Sequence, residues 1–212
     1  MRGQAFYSGG DTGDVPNGQT MDLHAELGDA RNVLLSAPAM AGDERTVCTD
    51  LLLGADAAET SVLWVTFRRD PGACTEQWTG ATDDAPLNGA VIAVGDAGDV
   101  DVDWATVEAV NSPSDLTGLG IAIGEFLSAW DGNVVVCFDS LTAMLQYVEL
   151  ETAYEFLHAI TGQLYAAGAR AHFHIDPSAH DEQTVDSITS LFDAVVELGD
   201  GDPTVRKRAL IG

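Results

Sequence analysis

Five short, continuously apolar runs are spread along this chain, each bounded by polar or turn residues: Asn32-Val-Leu-Leu-Ser36, Ser61-Val-Leu-Trp-Val-Thr-Phe67, Ala90-Val-Ile-Ala-Val94, Asn133-Val-Val-Val-Cys-Phe-Asp139 and Ala171-His-Phe-His-Ile175. A half-solvated strand alternates apolar and polar residues; a run without alternation belongs to a strand buried on both faces. Between these runs, helical periodicity covers 43–53, 71–79, 114–130, 149–167 and 182–192. Strand and helix in alternation predict an α/β fold, a mainly parallel sheet flanked by helices on both faces. The end of the chain breaks the pattern. Ala194-Val-Val-Glu-Leu198, a Gly-Asp-Gly-Asp-Pro turn and the basic stretch from Thr204 to Ile211 predict a closing C-terminal β-hairpin. Residues 1–20 hold five glycines, one proline and no periodicity, so a flexible leader is expected there, with one domain over 21–212 and no internal repeat.

Charge narrows the function. Asp and Glu number 34 against 9 Lys and Arg, a formal net charge of −25, yet hydrophobic residues make up 46% of the chain, enough for a packed core rather than a disordered polyanion. Lys207 is the single lysine. Such a balance fits a cytoplasm of molar salt, where the Debye length shrinks to about 3 Å and carboxylates no longer repel one another at range. A salt-loving archaeal source is expected. The same charge excludes nucleic-acid phosphates and anionic membranes as main partners. The most apolar helical stretch, Leu116 to Trp130, is too short to span a bilayer and carries Glu125, so a cytoplasmic, soluble protein is expected.

In a parallel α/β sheet, ligands bind beyond the carboxyl ends of the strands, and the turn after the first strand reads Ser36-Ala-Pro-Ala-Met-Ala-Gly-Asp-Glu44. A phosphate loop needs glycines to wrap the anion, a Lys for the outer phosphates and a Ser or Thr for magnesium. On its segments the chain nevertheless resembles the RecA superfamily near KaiC, of the kind found in haloarchaea. The family pattern Val-Leu-Val-Ser-Gly-Pro-Pro-Gly-Ser-Gly-Lys-Thr lies on Val33 to Glu44. Ser36, Pro38 and Gly42 match it, Ala37 and Met40 replace glycines, and the Lys and Thr become Asp43 and Glu44. Val134 to Ser140 is similar to the family's Walker B strand, ending in Asp139 and Ser140. The stretch from Trp64 is similar to the second strand, with Arg68 and Arg69 where catalytic glutamates normally stand.

The resemblance implies a RecA-like sheet and, through those departures, a pseudo-ATPase with a degenerate Walker A motif: no catalytic residue, no cofactor, and a pocket in which nucleotide is not expected. Asp43 and Glu44 can satisfy a helix start without a phosphate. One of them is expected to pair with Arg68 or Arg69 as a reversed-charge filler, although the two arginines could equally begin a solvated loop. Asp139 would then bond Ser36 or backbone amides of the loop instead of magnesium. The function implied is a regulatory or scaffolding role through a protein partner or self-association. The alternative is a non-standard nucleotide switch or weak ATPase using Asp139, magnesium and basic groups of Arg68, Arg69 or the last strand. A DNA-associated recombinase paralogue would need a basic patch, which only Arg206, Lys207 and Arg208 offer; these are also the candidate interface residues, unless they simply guard a solvated edge strand.

Two further groups bear on metal chemistry. His172, His174 and Asp176 fall on one face of an extended strand and could bind zinc, but with no second cluster to support them no metal is expected. Cys48, Cys74 and Cys137 are widely spaced and odd in number, without a CxxC pair, and predict buried, reduced thiols. Trp64, Trp78, Trp104 and Trp130 have no spacing that would build a stacking platform and are expected in the core.

Overall fold

The computed structural model describes residues 22–39, 41–53, 56–67, 69–95, 103–199 and 201–208. The expected leader, and Met40 and Arg68 of the expected pocket, lie outside them. In chain order the elements are α1 (Leu23–Leu27), β1 (Asn32–Ser36), α2 (Glu44–Leu52), β2 (Thr60–Thr66), α3 (Pro71–Thr79), β3 (Asn88–Val94), β4 (Thr106–Val110), α4 (Leu116–Ala129), β5 (Asn133–Asp139), α5 (Leu141–Met144), α6 (Leu150–Ala166), β6 (Arg170–Ile175), a 3₁₀ turn (Pro177–Ala179), α7 (Glu182–Thr189), β7 (Ala194–Glu197) and β8 (Thr204–Lys207).

The strands form one eight-stranded sheet in the order β4-β3-β2-β5-β6-β1-β7-β8. Every neighbouring pair is parallel except β7 with β8, which closes the sheet as the predicted hairpin. All five predicted strands are present, and all five helical segments. Strand β4 was not among the predicted ones. It is a largely exposed or half-buried edge strand in which Thr106 and Glu108 interrupt the apolar residues, so it lacks the continuous apolar signature of its neighbours.

Because the central strands are covered twice, alternate side chains feed two separate cores. On one face Leu34, Leu63, Ile92, Val136, Phe138 and Phe173 pack against α4, α5, α6 and α7. On the other, Val33, Leu35, Val62, Trp64, Val135 and Cys137 pack against α1, α2 and α3. Trp64 and Trp78 are fully buried there, edge to face at 6.2 Å, while Trp104 and Trp130 are only half-buried at the margins of the two cores. Helix starts are set locally. Asp22, Asp70, Asp115, Ser140 and Asp181 each cap a helix by accepting a backbone N–H of its first turn, which offsets donors that the helix cannot use internally.

The first core turns on Phe173, which stacks on Phe138 at 5.3 Å and meets Phe192 at 5.0 Å with no exposed surface. Phe173→Ala is expected to destabilise the fold by about 3–5 kcal/mol, read from the denaturant midpoint, whereas Ile121→Ala on the exposed side of α4 should stay within about 0.5 kcal/mol of the parent.

Candidate functional site

The parallel topology gathers the carboxyl ends of β1, β2, β5 and β6 on one edge, and the residues singled out in the sequence meet there. Ser36 ends β1 beside Ile175 of β6, and the turn to α2 is pinned at both sides: Ala37 N donates to Ile175 O at 2.9 Å, and Ala41 N to Pro38 O at 2.8 Å. Asp176 also holds this turn, its carboxylate accepting from Ala39 N at 3.3 Å as well as from Ser178. Gly42 and Asp43 are exposed, and Asp43 takes the N-cap position of α2 without a side-chain capping bond. Ser140 caps α5 through Ala143 N, and the Asp139–Ser140 peptide is cis.

The expected pairing across the crevice does not form between Glu44 and Arg69. Arg69 pairs with Asp139 instead, Nη1 to Oδ2 at 3.5 Å, and its Nη2 donates to Gln77 Oε1 at 2.8 Å and Ala73 O at 3.3 Å. Register explains this: β2 and β5 align Thr66 with Asp139, and Thr66 Oγ1 receives Arg69 N at 2.8 Å, which folds the arginine back over the end of β5. Asp139 is therefore engaged by a cation rather than by Ser36 or loop amides. Glu44 points down from the first turn of α2 onto the sheet and accepts from His174 Nδ1 at 2.7 Å. Nδ1 is therefore the donor of this bond, and Nε2 faces the other way, toward Cys137 Sγ. Glu44, Arg45, Cys48, Arg69, Ala73, Asp139 and His174 line an open cleft of ≈ 350 Å³.

Beneath that cleft lies a feature that the linear sequence conceals. Cys48 of α2, Cys137 of β5, and His172 and His174 of β6 are all buried, and one donor atom from each falls within 4.8 Å of the others. Cys48 Sγ is 3.8 Å from Cys137 Sγ and 3.2 Å from His172 Nε2; Cys137 Sγ is 3.5 Å from His174 Nε2. The register of β5 on β6 sets Cys137 beside His172. Asp176, expected on the same face, has left the strand to cap the 3₁₀ turn, so His172, His174 and Asp176, weighed as a group from the sequence, do not assemble, and the two histidines meet two cysteines instead. The hydrogen bond from Cys137 holds the Cys48 thiol well below the ordinary range; burial opposes this, and the charges of His172 and His174 reinforce it. Burial disfavours the His174 imidazolium, but the Cys48 thiolate and the bond to Glu44 outweigh it and the ring is pushed up to about 10. Cys74, buried in the same core but outside the four-residue group, is pushed up to about 12 by desolvation against the opposing charge of Arg69.

The basic tail also finds partners. Arg206 Nε donates to Glu197 Oε1 of β7 at 3.0 Å, and Arg208 Nη1 to Ser190 O at 2.9 Å. Lys207 and Arg208 join Arg31 and Arg170 around a cleft of ≈ 750 Å³, at the opposite edge of the sheet from Asp139.

A family model matches residues 30–198, from the start of β1 past the end of β7. The chain belongs to DUF7504, a family of unknown function. No curated protein matches it. Among solved structures, a Pyrococcus horikoshii protein superposes with a TM-score of 0.61 at 12% identity, covering 91% of this chain and 94% of the other. An uncharacterized protein of the same organism, in complex with an unknown peptide, gives 0.58 at 11% identity over 89% and 97%. The flagellar accessory protein FlaH of Methanocaldococcus jannaschii gives 0.56 at 13% identity over 92% and 86%. At these identities the likeness establishes the fold alone, an α/β architecture of the RecA-like type. Among its described residues no helix is long and apolar enough to cross a membrane.

The Arg69–Asp139 pair is partly solvated, at 25% and 24% side-chain exposure. A double-mutant cycle of Arg69→Met and Asp139→Asn is expected to give a coupling of about 0.5–1 kcal/mol that shrinks as KCl is raised.

Proposed function

We propose that this DUF7504 protein is a RecA-like domain without nucleotide hydrolysis, a regulatory or scaffolding protein of a halophilic archaeon that acts through protein contacts. The observation that carries this reading is the self-neutralised crevice. A nucleotide site keeps its cations free for phosphate; here Arg69 lies on Asp139, Glu44 on His174, and the described turn from Ala37 to Asp43 offers no basic side chain. Asp43 and Glu44 also place carboxylates at the start of α2, the helix end that would otherwise attract an anion. The strong acidity of the chain fits a molar-salt cytoplasm. Its cleft of Arg31, Arg170, Lys207 and Arg208, which outnumber Asp29 and Asp193 on the same walls, suits an acidic surface of a partner or of a second copy.

The second reading is a nucleotide switch built on Asp139 and magnesium, favoured by one observation: Asp139, Arg69 and Arg45 line a cleft that is open to solvent. Thermal unfolding in multimolar KCl, with and without millimolar Mg-ATP, Mg-ADP and Mg-GTP, separates the two. A ligand at a hundred times its dissociation constant adds about 2.7 kcal/mol to the folded state, which a melting curve resolves. No shift with any nucleotide is expected. A clear magnesium-dependent shift overturns the pseudo-ATPase reading and makes the cleft a nucleotide site.

A further inference from the structure

We infer that Cys48, Cys137, His172 and His174 form a closed tetrahedral site for a zinc-type divalent metal ion, which clamps α2 onto strands β5 and β6. The donor geometry is the first ground. Tetrahedral zinc with metal–sulfur bonds of about 2.3 Å and metal–nitrogen bonds of about 2.0–2.1 Å sets its sulfurs about 3.8 Å apart, and sulfur from nitrogen by about 3.5 Å. The two sulfurs here are 3.8 Å apart, and the sulfur–nitrogen separations are 3.5 and 3.2 Å. Two Cys and two His, all supplied by the protein, make up the composition of a structural zinc site.

The surroundings are the second ground. His174 presents Nε2 to the sulfurs because its Nδ1–H is held by Glu44, the carboxylate–imidazole relay that orients a metal-bound histidine and raises its basicity. Left as simple core packing, two imidazoles at 3% exposure would rest on thiols, which are weak hydrogen-bond partners in a dry environment. A divalent ion changes that balance. Each thiol gives up its proton to solvent, the two thiolates cancel the ion's two positive charges, and the histidines bind as neutral rings, so the buried cluster carries no net charge. Entry is short, since Cys48 and His174 both reach the wall of the open cleft at the start of α2.

The site differs from the crevice above it and stands whether or not nucleotide binds. Its ligands come from one helix and two strands, Cys48 and His172 lying 124 residues apart in the sequence, so an ion there would tie together parts of the chain that only the fold brings near.

The test uses the reduced full-length protein in multimolar KCl, stripped with a chelator and titrated with Co²⁺, then with Zn²⁺. Expected are tetrahedral d–d bands and thiolate-to-cobalt charge transfer that saturate at one equivalent per chain and are abolished by one equivalent of Zn²⁺, with a rise in melting temperature on zinc binding. Cys74→Ser keeps all of these signals. Cys48→Ser and Cys137→Ser lose charge-transfer intensity, and Glu44→Gln binds about 10–100-fold more weakly. The wild-type titration decides even if a cysteine variant fails to fold. Three outcomes each overturn the proposal: no tetrahedral cobalt spectrum, a spectrum that depends on Cys74 rather than Cys48 and Cys137, or a Cys48–Cys137 disulfide found by mass spectrometry as the resident state of the purified protein.

Discussion

Burial of the sheet on both faces is the constraint from which the rest of this structure follows. A strand covered twice has no wet side, so each residue along β5 and β6 must satisfy itself inside one of two cores. Phe138 and Phe173 do this by stacking with each other and with Phe192 on the face covered by α4 to α7. Their sequence neighbours Cys137, His172 and His174 point to the other face, under α2, where the polar groups meet one another and Cys48, with Glu44 reaching His174 and Gln77 Nε2 donating to Cys48 Sγ at 3.3 Å. The same parity that builds an aromatic core on one side therefore assembles a sulfur and imidazole cluster on the other.

The carboxyl edge of the sheet has a second internal solution to its charges. Asp139 ends β5 next to Thr66, and the backbone of Arg69 is tied to that threonine, so the guanidinium returns to the carboxylate beside it. Glu44 is drawn the other way, to His174. In a RecA-like fold this edge is where an anion would be wrapped by a turn and a helix start. Here the turn is held instead by Asp176 and by backbone bonds to β6, and its charged neighbours are engaged within the chain.

Much of the architecture was legible in the linear order of residues. The continuous apolar runs marked five of the eight strands, the Gly-Asp-Gly-Asp-Pro turn marked the closing hairpin, and the resemblance to the RecA superfamily agreed with the topology. Strand β4 escaped because an edge strand carries no buried signature. The site was legible in its members but not in its pairings: Arg69, Asp139, Glu44 and His174 all stood out, yet Asp43 or Glu44 was expected to pair with Arg68 or Arg69, whereas Arg69 pairs with Asp139 and Glu44 with His174. Nothing in the spacing of single cysteines at 48 and 137 suggested that they meet at 3.8 Å. The one available signal was weak, namely that Cys137 and the two histidines each occupy alternate positions of strands predicted to be fully buried.

By itself the sequence determined the class of fold, the sharply acidic surface and the absence of a lysine from the turn after β1, because these depend on local periodicity and on residue identity. Only the tertiary structure decided which strands are neighbours, hence that β5 lies between β2 and β6 and that α2 crosses above them. That choice is made by long-range packing, for which adjacent residues carry no record. It alone places the thiol of Cys48 against that of Cys137, 89 residues away, and joins both to His172 and His174 in one cluster.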